Sequence, residues 1–245
     1  MIIINKLFDL KFYNNNISIL LKELESLINS NNKATIFTPN IDHIINNKKD
    51  EVKNIYKQSE YIVADGWPIV ATGRLKGEKI YRITGVDLMD GLLKLADINE
   101  YSVFFLGATD ETLIKIKKNL KEEYRNIKSI SFHNGYFHDN KKVIDNINKS
   151  KSNILFVGMG NPKQELWIRE NMDKLNVNLI LGVGGAFKIF SNEVKRAPNF
   201  VQLVGMEWFY RFLKEPRRLF YRYFIKYPQF IKIFFNEMFV RRKYE

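Results

Sequence analysis

Seven short apolar runs, at 2–4, 34–37, 61–64, 103–106, 129–132, 154–157 and 179–182, are spaced along this chain, with stretches of helical periodicity between them. In one such stretch, 17–29, residues Ile17, Leu20, Leu21, Leu24, Leu27 and Ile28 fall on a single helical face. Strand-length runs alternating with amphipathic helices predict an α/β fold: a mostly parallel, Rossmann-like sheet with helices on both faces. Right-handed crossovers bring the carboxyl ends of such strands to one edge, where α/β proteins bind ligands. The residues that follow the runs suit that edge. They are polar and glycine-bearing: Thr38-Pro39-Asn40, Asp65-Gly66, Gly107-Ala108, Gly135, GMGNP (158–162) and GVGG (182–185).

Each of these turns has a functional and a plain reading. In GMGNPKQE (158–165), Gly158 and Gly160 permit close backbone approach, Pro162 suits a first helical turn, and Asn161 is placed as an N-cap. Lys163 then sits where free N–H groups and the helix dipole favour an anion. Either a nucleotide diphosphate lies on this helix start or the segment is a capped turn. Gly107 and Gly184 are further points of close approach for a donor nucleotide. Asp65 ends a strand beside a flexible glycine, as a general base for a hydroxyl nucleophile or as the N-cap of a helix beginning near Trp67. Thr38 and Asn40 either hydrogen-bond a sugar or uracil or cap a helix over 41–48. Arg82 precedes a helix over 86–95; its fork either steadies a leaving phosphate or pairs with Asp87.

Other chemistries find little support. Neither glycine turn completes G-x-G-x-x-G, and no acidic ribose ligand stands at the required spacing, which disfavours NAD. His43, His133 and His138 have no metal-ligand spacing, and His43 reads as structural. No metal or other cofactor is expected. The chain has no Cys, which fits the cytoplasm. No run reaches the eighteen or so uncharged residues of a spanning helix, and the N-terminus lacks the layout of a signal peptide.

The charge is lopsided. Of a net +12, residues 195–245 supply twelve Lys or Arg against four Glu, so two thirds of the excess lies in one fifth of the chain. Within it, 207–230 holds ten aromatic residues and six Lys or Arg, with Pro216 and Pro228 dividing it into two or three short helices. The composition divides the chain into an α/β catalytic core, 1–194, and a helical, basic and aromatic C-terminal appendage, 195–245. Arg211, Arg218 and Arg222 of the appendage are candidates to face phosphate or lipid. Three roles suit it: a membrane-surface helix, a phosphate clamp or a nucleic-acid face. The plain alternative is a docking helix pair that buries Trp208 and Phe212. The aromatic content favours an anionic membrane surface, and no RNA-binding motif supports a nucleic-acid partner.

The motifs TPNIDH (38–43), ADGWPIV (64–70), YRITGVDLMDGLL (81–93), FFLGA (104–108), VGMGNPKQELWI (157–168), GVGGAF (182–187) and KRAPNFVQLVGMEWFYRFLKEPRRLFYRY (195–223) resemble, in this order, the WecG/TagA/CpsF glycosyltransferases of bacterial cell-surface polymer assembly. The resemblance implies an inverting, metal-independent transfer from a UDP-sugar, N-acetylmannosamine in the TagA type, to N-acetylglucosamine on a polyprenyl diphosphate, as in teichoic acid biosynthesis. UDP-glucose, UDP-galactose and UDP-uronates suit the same motifs. It implies Asp65 as base, Arg82 as its catalytic partner, Thr38 and Asn40 at the acceptor or donor, and Gln164, Lys163 and Glu165 on the nucleotide. It also implies a peripheral protein on the cytoplasmic face of the membrane, with a homo-oligomer left open. Lys188 departs from the pattern, where relatives often carry an acidic residue.

Overall fold

The computed structural model describes residues 4–46, 50–203 and 205–240. The first run lies largely outside them, and its last residue opens β1 (Ile4–Leu7), which pairs antiparallel with β2 (Leu10–Tyr13). The described residue of that run, Ile4, therefore lies in an antiparallel hairpin and not in the parallel sheet as expected. Two residues, Phe8 (φ 54°) and Asp9 (φ 60°), connect the pair. Such a link permits only a hairpin, because parallel neighbours need a crossover of a dozen or so residues.

The six remaining runs form one parallel sheet. From β2 the chain passes through α1 (Ile17–Asn29) to β3 (Ala34–Phe37), then α2 (Ile41–Asn46) and α3 (Asp50–Gln58) to β4 (Tyr61–Ile62). Next come α4 (Trp67–Leu75), α5 (Gly85–Ile98), β5 (Ser102–Gly107), α6 (Asp110–Glu123) and β6 (Ser129–His133). After α7 (Asn140–Ser150), β7 (Ile154–Gly158), α8 (Lys163–Asn171) and β8 (Leu179–Gly182), the described residues continue in helices. These are α9 (Ala186–Phe190), α10 (Asn199–Leu203), α11 (Glu207–Lys214), α12 (Pro216–Phe220) and α13 (Pro228–Val240), with a π-helical stretch at Tyr221–Lys226. Pro216 and Pro228 each open a helix, where a missing N–H costs nothing.

The strand order is β4-β3-β8-β7-β5-β6. Alternate residues enter two buried clusters, one on each face: Phe104 and Leu106 pack with Ile69 and Ile168, while Val103 and Phe105 pack with Leu20 and Leu92. That two-sided burial is why these strands are continuous apolar runs. After β3 the chain turns into α2 on the first face, and after β8 it turns into α9 on the other. The divergence opens a crevice at the adjoining carboxyl ends of β3 and β8, the place where a doubly wound sheet admits a ligand.

The carboxyl ends of β5 and β7 are closed instead. Gly107 and Gly158 are register partners, and a Cβ on Gly107 (φ 134°) would lie 2.5 Å from the Gly158 carbonyl. A Cβ on Gly158 would lie 2.8 Å from the Phe187 ring. These glycines let backbone meet backbone and ring. Gly107→Ala should therefore destabilise the fold by about 2–4 kcal/mol, read from the denaturant midpoint, since it adds a steric clash to an unfavourable φ. An unchanged midpoint would contradict this packing.

Candidate active site

A cavity of about 470 Å3 occupies the crevice. Backbone bonds assemble its polar wall from three distant segments. The Asp65 N–H donates to the Pro39 carbonyl at 3.0 Å, and Ala64 bridges to Arg82 beside it, with Ile83 N–H on the Ala64 carbonyl. Thr38, Asn40, Asp65 and Arg82 therefore face one space, together with Gln164 and Gly184. The helix-capping alternative for Asp65 is not realised: Gly66 (φ 145°) is the N-cap of α4, and no side chain caps that helix. Asp65 is half-buried and turned to the cavity. Burial pushes its carboxyl up to about 6, against the pull of Arg82 and Arg211 and with the push of Glu207 and Asp87.

The C-terminal helices form the opposite wall, through Glu207, Trp208, Arg211, Arg222, Tyr223 and Tyr227. Arg82 Nη2 lies 2.7 Å from Glu207 Oε2, and Arg211 Nη2 lies 2.5 Å from Glu207 Oε1. The Arg82 guanidinium also sits over the Trp67 ring at 5.9 Å, and its Nε is buried without a hydrogen-bond partner. The alternative pairing of Arg82 with Asp87 is not realised; Arg82 meets Glu207. Asp87 is held instead by Arg196 at 2.6 Å and by the Thr84 hydroxyl at 2.7 Å. Burial works against ionisation of Glu207, but Arg211, Arg82 and Arg196 outweigh it and keep the carboxyl below its ordinary value. Arg222 pairs with Asp42 and donates from Nε to the Tyr227 hydroxyl at 3.0 Å. Arg218 lies in α12, and its side chain falls outside the described residues.

The three polar residues that open α8 separate. Lys163 is exposed and away from the cavity, Gln164 lines it, and Glu165 is buried behind it. Gly107, Gly158 and Gly160 do not line the cavity, whereas Gly184 (φ 49°) does. Asn161 does not cap α8 as expected. Pro162 stands at the N-cap, and the Asn161 amide instead accepts from Asn46 Nδ2 and donates to the Tyr56 hydroxyl. The Thr38 hydroxyl donates to the Gly182 carbonyl at 3.3 Å. Asn40 Oδ1 accepts the Asp42 N–H at 2.9 Å, so it caps α2 and faces the cavity at once.

Sequence reasoning passed over Glu207, Trp67, Trp208, Tyr223 and Tyr227, and set His43 aside, although all of them line the cavity. Glu207 had a legible signal: it precedes Arg211 by four residues, the spacing of a helical ion pair, within a basic stretch. Nothing local pointed to its second partner, Arg82, 125 residues away.

The tail is only partly packed. Leu219 and Phe230 are buried, and Phe230 meets Phe8 of the N-terminal hairpin with ring centroids 5.6 Å apart. Trp208 is 47% exposed and packs edge-on against Tyr223, so it does not dock in the core. Among the described residues, twelve of the seventeen exposed large apolar side chains lie at 200–240, so apolar exposure is concentrated in the C-terminal helices. No helix of the described residues is long and apolar enough to cross a membrane.

The partly buried Asp65 makes a prediction about stability. Because folding removes the carboxylate from water, the folded protein holds this proton more tightly than the unfolded chain. The associated stability is full below the ordinary value of 3.8 and is lost as pH rises through about 6. Asp65→Asn should then be more stable than the parent by about 1–3 kcal/mol at pH 7, with the difference vanishing near pH 4, as read from paired denaturation curves. A variant less stable at pH 7 would mean that the arginines, and not burial, govern this site.

Comparison with known proteins agrees with the motifs. Residues 5–244 match the Glycosyl transferase WecG/TagA/CpsF family. An N-acetylglucosaminyldiphosphoundecaprenol N-acetyl-beta-D-mannosaminyltransferase of Staphylococcus aureus strain MW2 is 40% identical over 167 residues. The protein of the same name from strain NCTC 8325 / PS 47 is equally similar. The match spans 67% of this chain and 65% of the length of these relatives, just under two thirds of them. On a family match that runs over nearly all its residues, the chain belongs to the WecG/TagA/CpsF family of glycosyl transferases.

Proposed function

We propose that this chain transfers N-acetylmannosamine from its UDP-sugar to a hydroxyl of N-acetylglucosamine carried on a polyprenyl diphosphate, in one inverting step without a divalent metal. The observation that carries the reading is the company Asp65 keeps: one cavity holds a carboxylate poised near neutrality and the guanidinium groups of Arg82, Arg211 and Arg222. The names of the similar Staphylococcus aureus proteins support the acceptor and the sugar.

In this reading the Asp65 carboxylate takes the proton of the acceptor hydroxyl as its oxygen bonds to the anomeric carbon. The bond from that carbon to the diphosphate oxygen breaks on the opposite face, and UDP leaves with the electron pair. Charge gathers on the departing diphosphate, where the three arginines supply the positive potential that a metal provides elsewhere. Thr38 and Asn40 orient the sugar hydroxyls, and Gln164 with the Gly184 turn bounds the donor side. The aromatic surface at 200–240, with Lys214, Arg217 and Lys232 exposed along it, suits a protein resting on an anionic membrane that holds the lipid acceptor.

The test is acceptor-dependent UDP release, measured over a panel of UDP-sugars with EDTA present. Turnover that is fastest with UDP-N-acetylmannosamine and indifferent to EDTA is the expected result. Release that requires a divalent cation, or none with any UDP-sugar, would overturn the proposal. Asp65→Asn should lower kcat by about a hundredfold while leaving UDP affinity in place. For the parent, kcat/KM should fall about tenfold per pH unit below about 6, because protonation removes the base.

A further inference from the structure

Behind the cavity wall, hydrogen bonds run in one direction and end on a single atom. Asn46 Nδ2 donates to Asn161 Oδ1 at 3.0 Å, and Asn161 Nδ2 donates to the Tyr56 hydroxyl at 3.4 Å. With its acceptor side engaged, that hydroxyl gives its own proton to Glu165 Oε1 at 3.1 Å. From the other direction, Gln164 Nε2 donates to the same oxygen at 3.0 Å. The far end of the Gln164 carboxamide is fixed too. Its Oε1 accepts the Gly184 N–H at 3.0 Å, and a backbone N–H can only donate.

We propose that Glu165 is a positioning residue for the transfer reaction: by accepting from Tyr56 and Gln164 together, it locks the Gln164 carboxamide with its oxygen toward Gly184 and so fixes the backbone turn at 183–185 on the donor side of the cavity. Glu165 does not meet the substrate. It is 1% exposed and stands behind Gln164, which is 2% exposed and does line the cavity. The turn needs such a holder, because Gly184 and Gly185 give it little stiffness of their own and Gly184 has a left-handed φ of 49°.

One oxygen suffices for this task. Glu165 Oε2 is buried with no hydrogen-bond partner, so only Oε1 acts as the acceptor. Burial raises the carboxyl above its ordinary value, which fits a group that serves through a carbonyl-like oxygen. His43, whose Nε2 lies 3.8 Å from Glu165 Oε1, is held neutral: burial pushes it down to about 4, with Arg222 and Lys226 reinforcing the shift against Asp42.

This inference rests on the function proposed above, and its test separates the two. Glu165→Asp keeps the carboxylate but withdraws the acceptor by one methylene. Glu165→Gln keeps an acceptor oxygen at full reach. In Glu165→Asp, hydrogen exchange at the Gly184 amide should quicken by about tenfold and KM for the UDP-sugar should rise by about tenfold, with kcat changed far less. In Glu165→Gln both readings should return to within about threefold of the parent. Impairment of Glu165→Gln with Glu165→Asp spared would show that charge, not acceptance at full reach, is what matters, and equal impairment would show that reach does not; either would overturn the assignment. So would unaltered Gly184 exchange in a folded Glu165→Asp protein. The exchange measurement needs no substrate, so it still decides the matter if the parent releases no UDP.

Discussion

Arg82 and Arg211 belong to distant parts of the chain, and they meet on one carboxylate, that of Glu207. Two guanidinium groups brought into a partly enclosed cavity repel one another and lose hydration, and a shared, well-bonded counter-ion offsets both costs. The same contact decides the shape of the site. It draws α11 against the segment that bears Arg82, so the C-terminal helices become a wall of the cavity. Asp42 repeats the arrangement at the other end, where it receives Arg222 and Lys226 next to the turn carrying Asn40.

Two cavity carboxylates are thereby set to different tasks by their surroundings. Glu207 touches two arginines and stays ionised, whereas Asp65 feels them at a distance and is raised by burial. Environments that drive two acids apart in this way suit one to take up a proton, the role proposed for Asp65, and the other to serve as counter-ion. Asp65 passes its backbone N–H to Pro39, and the capping of α4 falls to Gly66.

Much of this was legible in the chain because burial on both faces of a parallel sheet leaves an unbroken apolar run, which six strands display. The hairpin at the start was missed for a physical reason. Its second strand, Leu10–Tyr13, is four residues long and broken by Lys11, so it lacks the unbroken apolar run of the strands buried on both faces. The strand-end turns pointed to Thr38, Asn40, Asp65 and Gly184, since position at a sheet edge follows from topology alone. What topology does not convey is direction around a helix. Lys163, Gln164 and Glu165 are consecutive, and a rotation of about 100° per residue sends one to solvent, one to the cavity and one to the core. Long-range partners such as Arg82 with Glu207 leave no local trace either.

The contact between Gly107 and Gly158 has a consequence for ligand choice. A doubly wound sheet has room for two mononucleotide halves side by side, the layout that lets relatives of this architecture grip a dinucleotide. Here a side chain on Gly107 would run into the Gly158 carbonyl, so no room for one remains between the tips of β5 and β7. The large cavity of the described residues lies instead at the adjoining ends of β3 and β8, where the backbones diverge.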